Sequence, residues 1–408
     1  MRKGTGILLV LVVCLLLTAC TPGKDTQGGT EGTQGFFDGD APMPGFDADN
    51  RYLLWPLSFL EMENCFFGTV FGGEYLHYYD LQTGISGLLC PDPACTHDSG
   101  ACPAKVEPNA SVSYYDGKLY WVGKDPAGDG HDRYLWRSDI TGTNREKLKT
   151  ISFQDTILVY QPQKYYIHRG NLYFLGIGDS VDGVETGERI TLMTAPLEGN
   201  DAFTVLYDKT FYVGVDAAVR FVGNKVYFAV QSGTPDSPKD MTITCYDRTD
   251  GTSQVLFEQT GMEEVLGAMW VTEAGEIYVP AQVENKGKVL KLEDGAWTEV
   301  ISLEGENITA PMVLDGIAEY DGREEGVRWV HILTLSGETV YEGALFPEAI
   351  PGIEEDPNML NIAFVGGDRE KLILDLIGLS QDGKMISYTV MLDLTDNLKP
   401  TVLWSEER

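Results

Sequence analysis

Five short runs of aromatic and β-branched residues, each introduced by a turn, recur at an almost constant interval, and that interval limits what this chain can fold into. They are Glu63-Asn64-Cys65-Phe66-Phe67, Asp116-Gly117-Lys118-Leu119-Tyr120-Trp121, Arg169-Gly170-Asn171-Leu172-Tyr173-Phe174, Val222-Gly223-Asn224-Lys225-Val226-Tyr227-Phe228 and Ala274-Gly275-Glu276-Ile277-Tyr278-Val279. Their anchors Asn64, Gly117, Gly170, Gly223 and Gly275 lie 53, 53, 53 and 52 residues apart. A period of about fifty residues means that each unit is one supersecondary module, unable to bury its apolar faces except against its neighbours.

Within each unit a second strand follows a loop of variable length, as in Tyr134-Leu135-Trp136-Arg137 and Thr242-Ile243-Thr244-Cys245-Tyr246, and a turn then leads to a third. With one strand leading into the next anchor, every unit holds four antiparallel strands. Such repeats, rich in aromatics and without an amphipathic helix, specify an all-β chain folded as a β-propeller. Two weaker units near Asp321-Gly322 and Asp368-Arg369 bring the expected count to seven four-stranded blades over residues 51–408. Arg51 to Leu57 are expected to add a strand to the last blade and so remove the open edge of an unclosed ring.

The N-terminus carries a different signal. Arg2-Lys3 precede an apolar run from Ile7 to Leu17, followed by Leu17-Thr18-Ala19-Cys20. This order of basic start, short apolar segment and small residues before a cysteine reads as a cleavable lipoprotein signal over residues 1–19, with Cys20 the lipidated residue. An apolar run of eleven residues is too short to span roughly 30 Å of hydrocarbon. The Gly-, Thr-, Gln- and Asp-rich tract over residues 20–50 is a tether, and acyl chains on Cys20 anchor it at about 0.8 kcal/mol per buried methylene. The expected location is the extracellular side of the cell membrane.

With this leader and repeat, the chain resembles the exported β-propeller lipoproteins of Gram-positive bacteria, many of which have no assigned activity. The resemblance covers residues 52–408 as a repeat pattern and carries over no catalytic residues. The formal net charge of −32 disfavours nucleic acid and anionic lipid surfaces, and favours cations, neutral glycans, peptides and basic proteins as partners. A monomer is expected.

Cysteines stand at 14, 20, 65, 90, 95, 102 and 245, which leaves five beyond the leader and the lipid site. Cys65 and Cys245 lie in strand patterns and read as small buried hydrophobes. Cys90, Cys95, His97 and Cys102 fall within thirteen residues with the spacing C-x4-C-x-H-x4-C. Export favours a disulfide-stapled loop stiffened by Pro91 and Pro93. Three cysteines and a histidine are also a recognised tetrahedral zinc set, and the sequence leaves both readings open.

Loops between the first and second visible strands are acidic, with Asp125, Asp129 and Asp132 in one, Asp179, Asp182 and Glu185 in the next, and Asp236 and Asp240 in a third. Hard oxygen ligands on flexible loops suit calcium, although none follows the EF-hand pattern, and solvated loops are the commoner case. These loops and the connection carrying His97 are expected to share one face, which is the candidate binding surface. The five histidines, His77, His97, His131, His168 and His331, are scattered, and no nucleophile elbow, phosphate loop or dinucleotide fingerprint occurs. The reading is therefore a non-enzymatic binding or scaffold module for an extracellular protein, peptide or glycan. The alternative is a carbohydrate-active hydrolase or lyase with an acidic, cation-dependent site.

Overall fold

The computed structural model describes residues 59–408 apart from positions 63, 109, 128–131, 152–163, 180–186, 200–201, 213, 234–238, 263–264, 267–268, 284–285, 304–316, 325 and 380–381. Cys20, the tether and the expected closing strand at residues 51–57 lie outside the described residues.

Every regular element described is a β-strand except the single 3-10 turn Pro357–Met359. The strands form seven antiparallel meanders, over residues 59–88, 112–151, 164–211, 215–262, 265–303, 317–344 and 361–407. Five have four strands. The fifth meander has five because its leading edge is split into Val265–Leu266 and Trp270–Val271, both paired with Ile277–Val283. Three strands are described in the sixth. This is the β-propeller architecture expected from the repeat.

The anchors mark the tight turn that opens each meander. Tyr115 pairs with Lys118 and His168 with Asn171, which leaves two-residue loops. In these loops Asp116 and Gly117 have φ of 45° and 76°, and Arg169 and Gly170 have 44° and 75°. Two successive left-handed residues match the strand twist on either side, which is why this turn recurs. The sixth unit lies where the weaker signal near Asp321-Gly322 puts it, but its turn is not at that dipeptide. Asp321-Gly322 sits inside the strand Ile317–Glu324, with Gly322 opposite Trp329, and the turn falls at Gly326 with φ 83°. The strand pairing overrides the turn preference of the dipeptide.

Burial grades across each meander. Second strands such as Lys118–Lys124 and Lys225–Ser232 are covered on both faces, whereas the fourth strand Thr252–Met262 is largely exposed. The chain forms two compact units, Leu57–Ser152 with the first two sheets and Phe153–Arg408 with the other five. In the larger unit apolar clusters join successive sheets. Tyr173, Ile190 and Leu192 pack with Val219, Phe221 and Phe228, and the Tyr173 and Phe221 rings are 4.6 Å apart. Met241, Ile243 and Phe257 meet Met269, Val279 and Leu290, while Val330 and Ile332 meet Leu374 and Leu392. Each such side chain gains about 1.5–3 kcal/mol on leaving water.

Ile243 is fully buried between the fourth and fifth sheets. Ile243→Ala is expected to lower unfolding free energy by about 2–5 kcal/mol. Val255→Ala, at an exposed position on the fourth strand of the same sheet, should change it by less than about 0.5 kcal/mol, both read by denaturant unfolding.

Candidate metal centre

The segment from Leu89 to Val106 is threaded between backbone partners of the first sheet and side chains of the second. Leu76 lies at the middle of the first set. Its carbonyl accepts from Leu89 N at 2.8 Å, its N–H donates to Ala104 O at 2.8 Å, and Val106 N donates to Glu74 O at 2.7 Å. Between these fixed ends the chain turns back repeatedly. Asp92 accepts from Cys95 N through its carbonyl and from Ala94 N through its side chain, and Cys102 N donates to Ser99 O.

His97 adopts the left-handed conformation, φ 60°, which few non-glycine residues adopt. Its carbonyl is held by Tyr75 Oη at 2.6 Å. This reversal allows His97, one residue removed from Cys95, to join the same cluster. The ligand atoms of Cys90, Cys95, His97 and Cys102 all lie within 4.8 Å of one another, and His97 Nδ1 is 3.3 Å from Cys102 Sγ. The four residues singled out from the sequence are therefore brought together.

All five described cysteines are free thiols. Cys102 is buried, and Cys90, Cys95 and His97 are half-buried. Burial pushes the Cys90 thiol up to about 12 and raises that of Cys102, and repulsion from neighbouring sulfurs adds to both. A cation lying among the sulfurs would oppose these shifts by favouring the thiolate. Soft sulfur donors and an imidazole suit zinc better than the hard ions that oxygen ligands select. Cys65 is buried in its strand opposite Asp80, and Cys245 is half-buried in its own strand with its thiol raised by burial.

The second sheet supplies a grip that sequence reasoning missed. Arg145 Nη1 donates to the carbonyls of Cys102, Pro103 and Lys105 at 3.0, 3.1 and 2.7 Å. Its guanidinium lies 4.3 Å from the Trp136 ring and 5.4 Å from that of Trp121, and the two indoles stack at 6.2 Å. Burial lowers the Arg145 pKa to about 10, against the pull of the Asp125 and Cys102 charges. Glycine allows two close approaches. A Cβ on Gly142 would meet Leu89 O at 2.5 Å, and one on Gly100 would meet Pro126 O at 2.0 Å. A pocket of about 550 Å³ remains beside the loop, lined by Pro91, Ala101, Asp125, Trp136, Asn144 and Arg145.

Cys102 is buried and Arg145 holds its carbonyl, while Asp92, Pro93, Ala94, Thr96, Asp98 and Ser99 of the same connection are exposed. The acidic loops fare differently from one another. Asp125 is paired with Lys147 at 2.6 Å, which lowers its pKa. Asp132 is exposed, Asp179 ends the strand Asn171–Asp179, and Asp240 accepts from Gly261 N at 3.0 Å. Asp129, Asp182, Glu185, Asp236 and His131 lie outside the described residues. His168 Nε2 is 2.7 Å from Gly223 O in the opening turn of the next sheet, and His331 Nε2 is 3.0 Å from Thr339 Oγ1 within its own sheet. His77 is buried in the strand His77–Asp80.

No protein-family model matches the sequence, and no curated protein is similar to it. Solved structures match its fold. A puromycin hydrolase, an S511A mutant complexed with PGG, aligns with TM-score 0.53 at 13% identity over 90% of this chain and 56% of the hydrolase. Prolyl oligopeptidase B from Galerina marginata aligns with TM-score 0.50 at 8% identity over all of this chain and 56% of the peptidase. The chain thus spans little more than half the length of either. The polysaccharide lyase Uly1 aligns with TM-score 0.48 at 12% identity, over 90% of this chain and 94% of the lyase. At these identities the likeness is one of fold, to β-propeller domains.

Two outcomes test the grip and its charges. Arg145→Lys keeps the charge but not the planar fork, and both it and Arg145→Ala should destabilise the protein, the alanine variant by about 2–4 kcal/mol in urea followed by tryptophan fluorescence. Asp139, bonded to Lys118, also has its carboxyl held below the usual range. A depressed carboxylate stabilises the fold above its unfolded pKa of about 4 and loses that effect as pH falls through the folded value. The stability gap between wild type and Asp139→Asn should therefore be constant from about pH 5 to 8 and shrink below about pH 4.

Proposed function

We propose that this protein is a lipid-anchored β-propeller, held on the extracellular side of the membrane through Cys20, which acts as a binding module for a protein or peptide. The observation that carries the reading is an exposed apolar cluster at the sixth and seventh sheets. Met359 and Leu379 are 74% and 63% exposed, and Val327 and Trp329 are partly exposed nearby. Arg328 ties these segments together, donating from its backbone to Asn358 Oδ1 at 2.9 Å and from Nη2 to Leu360 O at 2.7 Å. Gly378 packs so closely on Leu360 that a Cβ would lie 2.8 Å from its side chain.

Exposed apolar side chains gathered in this way are the mark of an interaction surface. Glu354, Glu355 and Asp356 lie in the adjoining segment, and the chain as a whole is strongly acidic. The complementary partner is an apolar segment flanked by lysine or arginine.

Two measurements check this reading. Cys20→Ala should move the protein from the membrane fraction to the medium in a Gram-positive host and abolish palmitate labelling, and retention of the variant in the membrane would refute the anchor. Peptides selected from a displayed library against the wild-type protein should be basic and apolar. Their affinity should fall at least tenfold on Met359→Glu with Leu379→Glu, about 1.4 kcal/mol. Unchanged affinity in a variant that keeps its melting temperature would refute the surface.

A further inference from the structure

We infer that Cys90, Cys95, His97 and Cys102 bind one zinc ion in a closed, four-coordinate structural site that locks the first connection of the propeller. The donor set is complete, with three sulfurs and one imidazole nitrogen inside a 4.8 Å span. A tetrahedral ion with Zn–S bonds of about 2.3 Å sets its sulfurs about 3.8 Å apart, and an imidazole nitrogen stands somewhat closer to each sulfur. The 3.3 Å between His97 Nδ1 and Cys102 Sγ agrees with such an edge.

The backbone is shaped to hold this constellation. His97 occupies a left-handed conformation and its carbonyl is pinned by Tyr75, so the strained residue is the one that must swing its ring towards the sulfurs. On the opposite flank, Arg145 fixes the carbonyl of Cys102 itself. The first ligand follows the strand Ile85–Leu88 and the last precedes the pairing of Ala104 with Leu76, so the ion would close a loop whose two ends are both anchored on the first sheet. Four protein ligands leave no open position for water or substrate, which makes the site structural rather than catalytic. Binding energy at such a site adds to folding energy. The inference does not depend on the proposed partner surface, which lies in the other compact unit.

The test uses the full chain purified in detergent under anaerobic conditions. Elemental analysis should find about one zinc per chain, and the three thiols should react with a thiol reagent only after a chelator is added. Replacement by cobalt should produce the visible bands of a tetrahedral thiolate complex, and metal removal should lower the melting temperature. Cys95→Ser and His97→Ala should each reduce zinc content at least tenfold, whereas Cys245→Ala should leave it unchanged. Should either ligand variant fail to fold, the cobalt spectrum of the wild-type chain still decides the matter. A chain that takes up neither zinc nor cobalt would overturn the site, whether its five thiols are all free or two of the cluster cysteines are joined in a disulfide.

Discussion

A four-stranded sheet whose second strand is apolar on both faces cannot stand alone, and that constraint organises this protein. Leu119-Tyr120-Trp121-Val122, Leu172-Tyr173-Phe174-Leu175 and Leu372-Ile373-Leu374 are buried on successive residues, so each needs cover on both sides. In the larger unit the cover is the next sheet, through clusters such as that of Tyr173 and Phe221. The fourth strands need no such cover and are free to be polar. Stability is then distributed over many similar interfaces, and sequence divergence between repeats is tolerated wherever the apolar second strand persists.

The connection between the first two sheets departs from this rule. Between residues 89 and 106 the chain has few apolar residues to bury, and it is held by directed contacts instead. Backbone hydrogen bonds to residues 74–76 fix its ends, Tyr75 fixes its strained histidine, and Arg145 satisfies three of its carbonyls at once. The guanidinium fits this task because its Nη1 donates to all three carbonyls while its face lies on the indoles of Trp136 and Trp121. A metal ion among the four gathered ligands would add the cross-link that such a polar segment lacks.

The apolar cluster at the other end of the chain has a different origin. Met359 ends the 3-10 turn Pro357–Met359 and Leu379 ends its strand, paired with Met385, and Arg328 binds the segment between them through Asn358 and Leu360.

The sequence by itself determined the repeat, the all-β class, the two-residue turns at Gly117 and Gly170, and the four candidate ligands, because each depends on local chemistry or on spacing along the chain. It located the sixth unit near Asp321-Gly322 without fixing its turn, which falls at Gly326 because strand register is set by pairing with Val327–Thr334. It left open whether the cysteines converge. Only the tertiary structure decided that Cys90 and Cys102 come together, that Arg145 reaches back over forty residues to hold their loop, and that Met359 and Leu379 are exposed. Those relations join residues distant in the chain, and their geometry follows from the order and packing of whole sheets, which no local pattern encodes.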